Sequence, residues 1–158
     1  GMLAGRMVAV KELLGGGTVG RSEAALLARL RHPHVLQFFG CSFSSAGRMY
    51  LVMELMDMSL QDFLDSRAPL RLPRQEALAI GLQVAQGLQY LHVHSVCHRD
   101  LKPGNILLSF AAGDRTPVAK LGDFGLSRST AELSSMTAVV GTIQYMAPEM
   151  LQQDDLTT

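Results

Sequence analysis

The feature that most constrains this chain is one eight-residue stretch, His98-Arg99-Asp100-Leu101-Lys102-Pro103-Gly104-Asn105. It sets a carboxylate, an ammonium and a carboxamide close together along the backbone. A second acid follows in Asp123-Phe124-Gly125. One acid able to take a proton from a hydroxyl, a cation, and an Asn and an Asp able to hold a divalent metal suit phosphoryl transfer, in which the protein positions groups and neutralises charge. Two short strand-like runs, Ile106-Leu107-Leu108 and Val118-Ala119-Lys120-Leu121, flank a Gly113-Asp114-Arg115 turn. A hairpin there brings Asn105 and Asp123 to neighbouring strand ends, as two ligands of one metal site require.

Size and composition narrow the class. The chain has 158 residues, 47% hydrophobic and 18% charged, which predicts one globular domain with a real core rather than a disordered segment. The formal net charge is zero, so nothing electrostatic argues for nucleic acid or an acidic membrane as partner. Two cysteines, Cys41 and Cys97, stand in no metal spacing and suit reduced thiols in a cytoplasmic protein. No apolar run reaches the ~18 residues of a membrane span, and no secretory signal opens the chain.

In chain order, Arg6 to Lys11 reads as a strand, with Val8 and Val10 on one face and Ala9 and Lys11 on the other. Gly15-Gly16-Gly17 reads as a loop into a helix over 22–30, with Ser22 as cap and Glu23 as an acid in the first turn, favoured by the helix dipole. Val35–Phe43 and Met49–Glu54 form a predicted hairpin around Ser44-Ser45-Ala46-Gly47. Ser59-Leu60-Gln61-Asp62 has the form of a capping box that starts a short helix through Asp65. From Arg74 to His92, Ala77, Ile80, Gly81, Val84, Ala85, Leu88 and Leu91 recur at helical spacing and predict a core helix. The tail, Gly141-Thr142-Ile143-Gln144-Tyr145-Met146-Ala147-Pro148-Glu149, follows a loop rich in hydroxyls: Ser127, Ser129, Thr130, Ser134, Ser135 and Thr137.

Four motifs in order, the Lys11 strand, the His98–Asn105 loop, Asp123-Phe124-Gly125 and Ala147-Pro148-Glu149, resemble those of the eukaryotic protein kinases, over nearly the whole chain. The resemblance implies an α+β bilobal fold, incomplete here. Residues 1–56 would be a small β-rich lobe with one helix, plus the hinge. Residues 57–158 would be the first part of a mainly helical large lobe, through the activation segment. It implies transfer of the ATP γ-phosphoryl to Ser/Thr hydroxyls of protein substrates, with ATP and Mg²⁺ bound.

On this resemblance Asp100 would orient the hydroxyl and accept its proton, Lys102 would neutralise the γ-phosphoryl, and Asn105 and Asp123 would hold Mg²⁺. Lys11 would hold the α- and β-phosphates and pair with Glu23. The gap of 12 residues between those two is short for the family, so either the helix has lost a turn at its start or the assignment of Glu23 is wrong. Ala9 and Leu107 would sandwich the adenine. Met53 would be the gatekeeper, and Glu54 and Met56 would offer hinge backbone groups. Arg99 would answer a phosphate in the activation segment. Leu27, Phe38, His98 and Phe124 would stack as a column through both lobes.

Lys102-Pro103 and Thr142 resemble the Ser/Thr-specific members, the small lobe resembles that of tyrosine kinases, and the mixture resembles the tyrosine-kinase-like branch, which includes mixed-lineage and Raf-type kinases. The resemblance also makes the chain a fragment, without the Gly-rich loop before Lys11 and without the later large-lobe helices. That leaves one alternative, a non-catalytic kinase-like binding or scaffold module.

Overall fold

The protein is described by a computed structural model that covers residues 1–13, 18–111, 113, 116–124, 128–129, 142–146 and 148. The Gly15–Gly17 run, Asp114, Arg115, Gly125, Ser127, Thr130, Ser134, Ser135, Thr137, Gly141, Ala147 and Glu149 lie outside the described residues.

Strands β1 (Met2–Leu3), β2 (Arg6–Leu13), β3 (Phe38–Phe43) and β4 (Met49–Glu54) make an antiparallel sheet in the order β1-β2-β4-β3. Helix α1 spans Thr18–Leu27. The 22–30 helix predicted from sequence therefore begins a turn earlier, and Ser22 is an interior residue rather than the cap. On β2 both faces have enclosed residues. Val8 is buried, but Val10 is 50% exposed, while Ala9, Lys11 and Leu13 are the more enclosed set. The face with Ala9, Lys11 and Leu13 carries Lys11 to Glu23 of α1. Strand β3 starts at Phe38 rather than Val35, with a register shift before Gly40. The residues before it serve elsewhere. Val35 bridges Leu121 in parallel, Leu121 N–H donates to the His34 carbonyl at 3.0 Å, and Leu36 N–H donates to the Leu121 carbonyl at 2.8 Å.

The second part begins at Met58. Strands β5 (Met58–Ser59), β7 (Ile106–Ser109) and β8 (Val118–Leu121) form a three-stranded sheet, and β6 (Val96–Cys97) pairs with β9 (Arg128–Ser129). Helix α2 (Leu60–Arg67) has the expected capping box, Ser59 and Asp62 each accepting from the other's backbone N–H. Helix α3 (Arg74–Val93) is the longest element. Its buried residues are Ile80, Gly87 and Leu91, whereas Ala77, Gly81 and Ala85 are exposed, a rotation of the predicted face. The rotation follows from what α3 packs on. Gln83 brackets the start of β8, accepting from Ala119 N–H at 2.9 Å and donating to the Pro117 carbonyl at 3.1 Å. Gly87 lies so close to His34 that an added Cβ would sit 2.6 Å from the His34 carbonyl oxygen.

One buried cluster runs through both parts, from Leu27 at the end of α1 and Leu30 just after it, through Phe38 and Leu51, to Leu91, Leu108, Leu121 and Phe124. The β7–β8 hairpin sits in the middle of it, with Ile106 opposite Leu121 and Leu107 opposite Lys120. Such burial is the main driving force that holds a site built from distant residues. Among the described residues no helix is long and apolar enough to cross a membrane.

Candidate active site

The hairpin ends do what the spacing predicts. Asn105 closes a short 3-10 turn (Pro103–Asn105) that leads into β7, and Asp123 leaves β8 two residues after Leu121. The Gly122 N–H donates to the Asn105 carbonyl at 2.9 Å, which ties the two ends together. Asp123 and Arg99 both have positive φ, 55° and 67°. A non-glycine residue in that region carries strain that the surrounding structure must hold.

Asp100 is 8% exposed and is surrounded by donors. Its Oδ2 accepts from Lys102 Nζ at 2.7 Å and from Asn105 Nδ2 at 2.9 Å. Its Oδ1 accepts from the Thr142 backbone N–H at 3.0 Å and from the Thr142 hydroxyl at 2.7 Å. Lys102 Nζ also donates to Thr142 Oγ1 at 2.8 Å. Burial alone would push the Asp100 carboxyl up, but the donors Lys102, Thr142 and Asn105 outweigh it and bring its pKa down to about 2. The group is ionised at any physiological pH. A carboxylate offers about four lone-pair positions, so these four donors fill it.

Lys11 forms the second cluster. Its Nζ stands 2.7 Å from Asp123 Oδ1 and 3.7 Å from Glu23 Oε1. Glu23, 5% exposed, lies in the second turn of α1. The earlier start of that helix brings it within reach of Lys11 despite the short gap in sequence. Burial would lower the Lys11 pKa, but Asp123 and Glu23 overcome it and leave it raised.

The remaining predicted residues also have definite places. Ala9 pairs with Met53 across the β2–β4 ladder, and both are partly buried. Leu107 is partly buried on β7. Glu54 ends β4, and Met56 follows it in the linker to β5, partly enclosed. His98 donates from Nε2 to the Gly122 carbonyl at 2.9 Å and lies 5.2 Å from the Phe124 ring, centroid to centroid. Burial depresses its pKa, so the ring is neutral at neutral pH. Leu27, Phe38, His98 and Phe124 are all buried.

Two participants went unread in the sequence. The Glu54 side chain is claimed by Lys120 Nζ at 2.7 Å and by the Gln37 backbone N–H. Asp57 Oδ2 accepts from Phe110 N–H at 2.7 Å. The available signal was the lone cation in the otherwise apolar run Val118-Ala119-Lys120-Leu121.

Comparisons with known proteins identify a family for the chain. The chain matches the family described as "Protein kinase domain" over residues 3–158. It is 37% identical over 131 residues to human serine/threonine-protein kinase D2, covering 83% of this chain and 15% of that protein. It is 36% identical over 143 residues to serine/threonine-protein kinase PknB of Mycobacterium leprae (strain TN), covering 86% and 22%. With cyclin-dependent kinase 4 of Ovis aries the identity is 36% over 171 positions, covering 98% and 55%. The chain thus spans only part of the length of these relatives. A chain in the crystal structure of the yeast RNA Pol II CTD kinase CTDK-1 complex superposes with a TM-score of 0.78 at 28% identity, covering 92% of this chain and 47% of that one. With its β-sheet part, its helical part and these motifs, the chain belongs to the protein kinase domain family.

Proposed function

We propose that this chain is part of a protein kinase that transfers the γ-phosphoryl of ATP to Ser/Thr hydroxyls of protein substrates. The observation that carries the reading is the set of donors on Asp100. Lys102, Asn105 and Thr142 converge on one ionised carboxylate that stands beside the Asp123 turn.

The chemistry follows from those contacts. With a pKa near 2, Asp100 is a weak base and acts chiefly by orienting the incoming hydroxyl, taking its proton late. Its acceptor positions are filled by the protein's own donors, so a substrate hydroxyl must replace one. Lys102 is the donor suited to leave, since a γ-phosphoryl beside it would draw the ammonium away and open a position on Oδ2. Thr142, fixed by both its N–H and its hydroxyl, keeps the carboxylate in place meanwhile. Lys11 holds the α- and β-phosphates, and Glu23 keeps it aimed.

Asn105 and Asp123 fit Mg²⁺ by their donor chemistry. Asn105 gives its amide NH₂ to Asp100, which leaves its carbonyl oxygen available, and Asp123 is 52% exposed with Oδ2 unclaimed by Lys11. Hard oxygen ligands of this kind suit Mg²⁺, which when bound neutralises phosphate charge. Ala9 and Leu107 enclose the adenine, Met53 stands behind it, and the backbone of Glu54 and Met56 meets its edge. Residues 1–56 then serve as the nucleotide lobe and linker, and residues 57–158 as the start of the substrate lobe.

The test uses the full-length protein. Asp100→Asn is expected to lower phosphoryl transfer by roughly 10²–10⁴-fold while retaining Mg·ATP binding, read as a ligand-dependent rise in Tm. Unchanged turnover would refute the assignment. Nucleotide binding without turnover in the unsubstituted protein would favour the scaffold alternative.

A further inference from the structure

The kinase reading uses one ion pair between the two parts of the chain, Lys11–Asp123. The structure holds a second that this reading leaves unused. Lys120 Nζ donates to both oxygens of the Glu54 carboxylate at 2.7 Å each. The two side chains are only 17% and 12% exposed. Lys120 stands between Ala119 and Leu121, both fully buried. A cation kept at such a place, where an apolar side chain could pack, costs desolvation and calls for a purpose other than stability.

The two pairs are connected through the backbone. Val8 lies opposite Glu54 in the β2–β4 ladder, and Lys11 is three residues beyond Val8. Lys120 lies on β8, and Asp123 is three residues beyond it. Glu54–Lys120 and Lys11–Asp123 are therefore two rungs that reach the β8 segment from two strands, β4 and β2, paired in one antiparallel ladder. Further ties stiffen the near rung. Glu54 N–H donates to the Gln37 carbonyl at 2.9 Å, and Gln37 N–H donates back to the Glu54 side chain. Beyond the linker, Asp57 N–H donates to the Leu108 carbonyl at 2.9 Å, so Leu55 and Met56 are the only residues between the two anchors on the β7–β8 hairpin.

We propose that Glu54 and Lys120 are positioning residues that set the separation of Lys11 from Asp123, and with it the seat of the nucleotide phosphates. This rests on the kinase reading of the site. Neither side chain touches substrate in that reading. They act through the backbone, Glu54 by way of the β4–β2 ladder and Lys120 along β8.

The experiment compares Lys120→Met, Lys120→Arg and Glu54→Gln/Lys120→Met in the full-length protein. Lys120→Met is expected to raise KM for Mg·ATP about tenfold with kcat changed less than about threefold, and Lys120→Arg to stay near the parent value. The double variant removes both charges yet keeps an amide oxygen for Gln37 N–H. It is expected to keep the raised KM with Tm close to the parent. An ordinary KM in the double variant, or in a folded Lys120→Met, overturns the proposal by confining the pair to stability. A rise in kcat overturns it by making the pair a restraint. Should Lys120→Met not fold, the double variant decides alone, and failure of both to fold also assigns the pair to stability. If the unsubstituted protein transfers no phosphoryl group, it is the reading of the site that has failed. The Kd for Mg·ATP, read from Tm shifts, then tests the rungs on its own.

Discussion

Thr142 is joined to Asp100 twice, its backbone N–H and its hydroxyl both donating to the same carboxylate oxygen at 3.0 and 2.7 Å. The same hydroxyl accepts from Lys102 Nζ at 2.8 Å, so it links acid and cation. Replacing it by valine keeps the shape of the side chain but deletes that link, and leaves the backbone N–H bond intact. Thr142→Val is expected to lower kcat by about tenfold, the scale of one charge-assisted hydrogen bond, while KM for ATP moves little. Steady-state kinetics on a Ser/Thr peptide checks this. An equal loss in kcat/KM for ATP through KM alone would place Thr142 in nucleotide binding instead.

The depressed Asp100 pKa makes a stability prediction with a definite sign. An ordinary Asp titrates near 3.8, and here the folded value is about 2. The charged form is favoured by folding, so the contribution is complete above the unfolded value and is lost as pH falls towards the folded one. It amounts to about 2 kcal/mol by linkage. The stability difference between the parent and Asp100→Asn should stay level from about pH 5 upward and shrink as pH drops below about 4. Urea unfolding of both proteins across that range measures it. A difference that grows on acidification would contradict the network of donors.

Lys11 separates function from stability in the opposite way. Its side chain is 37% exposed and that of Asp123 is 52% exposed, so solvent screens their attraction. Lys11→Met is expected to lower Tm by only a few degrees, chiefly because the buried Glu23 carboxylate 3.7 Å away loses a cation, while reducing Mg·ATP affinity by at least about tenfold. Calorimetric titration beside a thermal melt reads both quantities. A large fall in Tm with affinity retained would make Lys11 a structural cation.

How much of this was legible depends on where each partner lies. Asp100, Lys102 and Asn105 are neighbours in sequence, so their joint chemistry could be read directly, and the capping box at Ser59 and Asp62 is equally local. Asn105 and Asp123 needed one further step, a hairpin between them, which the strand patterns supplied. Lys120 was invisible because a lysine in a short strand ordinarily faces water. Its partner Glu54 arrives from another sheet. Which residues of β2 are enclosed was not legible either. Val8 and Val10 share a face, yet Val8 is buried and Val10 is 50% exposed, a difference set by neighbours outside the strand and not by its alternation. On α3 the periodicity located the helix and not its rotation, because the rotation depends on how His34 and Leu121 approach it.

That last case can be decided with two glycines on the same helix. At Gly87 an added Cβ would stand 2.6 Å from the His34 carbonyl oxygen and 3.0 Å from Leu121 Cδ1. The carbonyl cannot give way cheaply, since it already accepts from Leu121 N–H at 3.0 Å. At Gly81 nothing lies within 4 Å of an added Cβ. Helix propensity favours alanine over glycine by about 1 kcal/mol at either position. At Gly81 that gain is unopposed, and Gly81→Ala should raise stability by up to about 1 kcal/mol. At Gly87 overpacking costs about 1–3 kcal/mol against it, so Gly87→Ala should lower Tm, and by more if the displaced segment 34–36 loosens from β8. Thermal melts of the two single variants give the sign of each. Were both alanines to raise Tm equally, α3 could not approach His34 as closely as described, and the seating of β8 that delivers Asp123 to Lys11 would need another support.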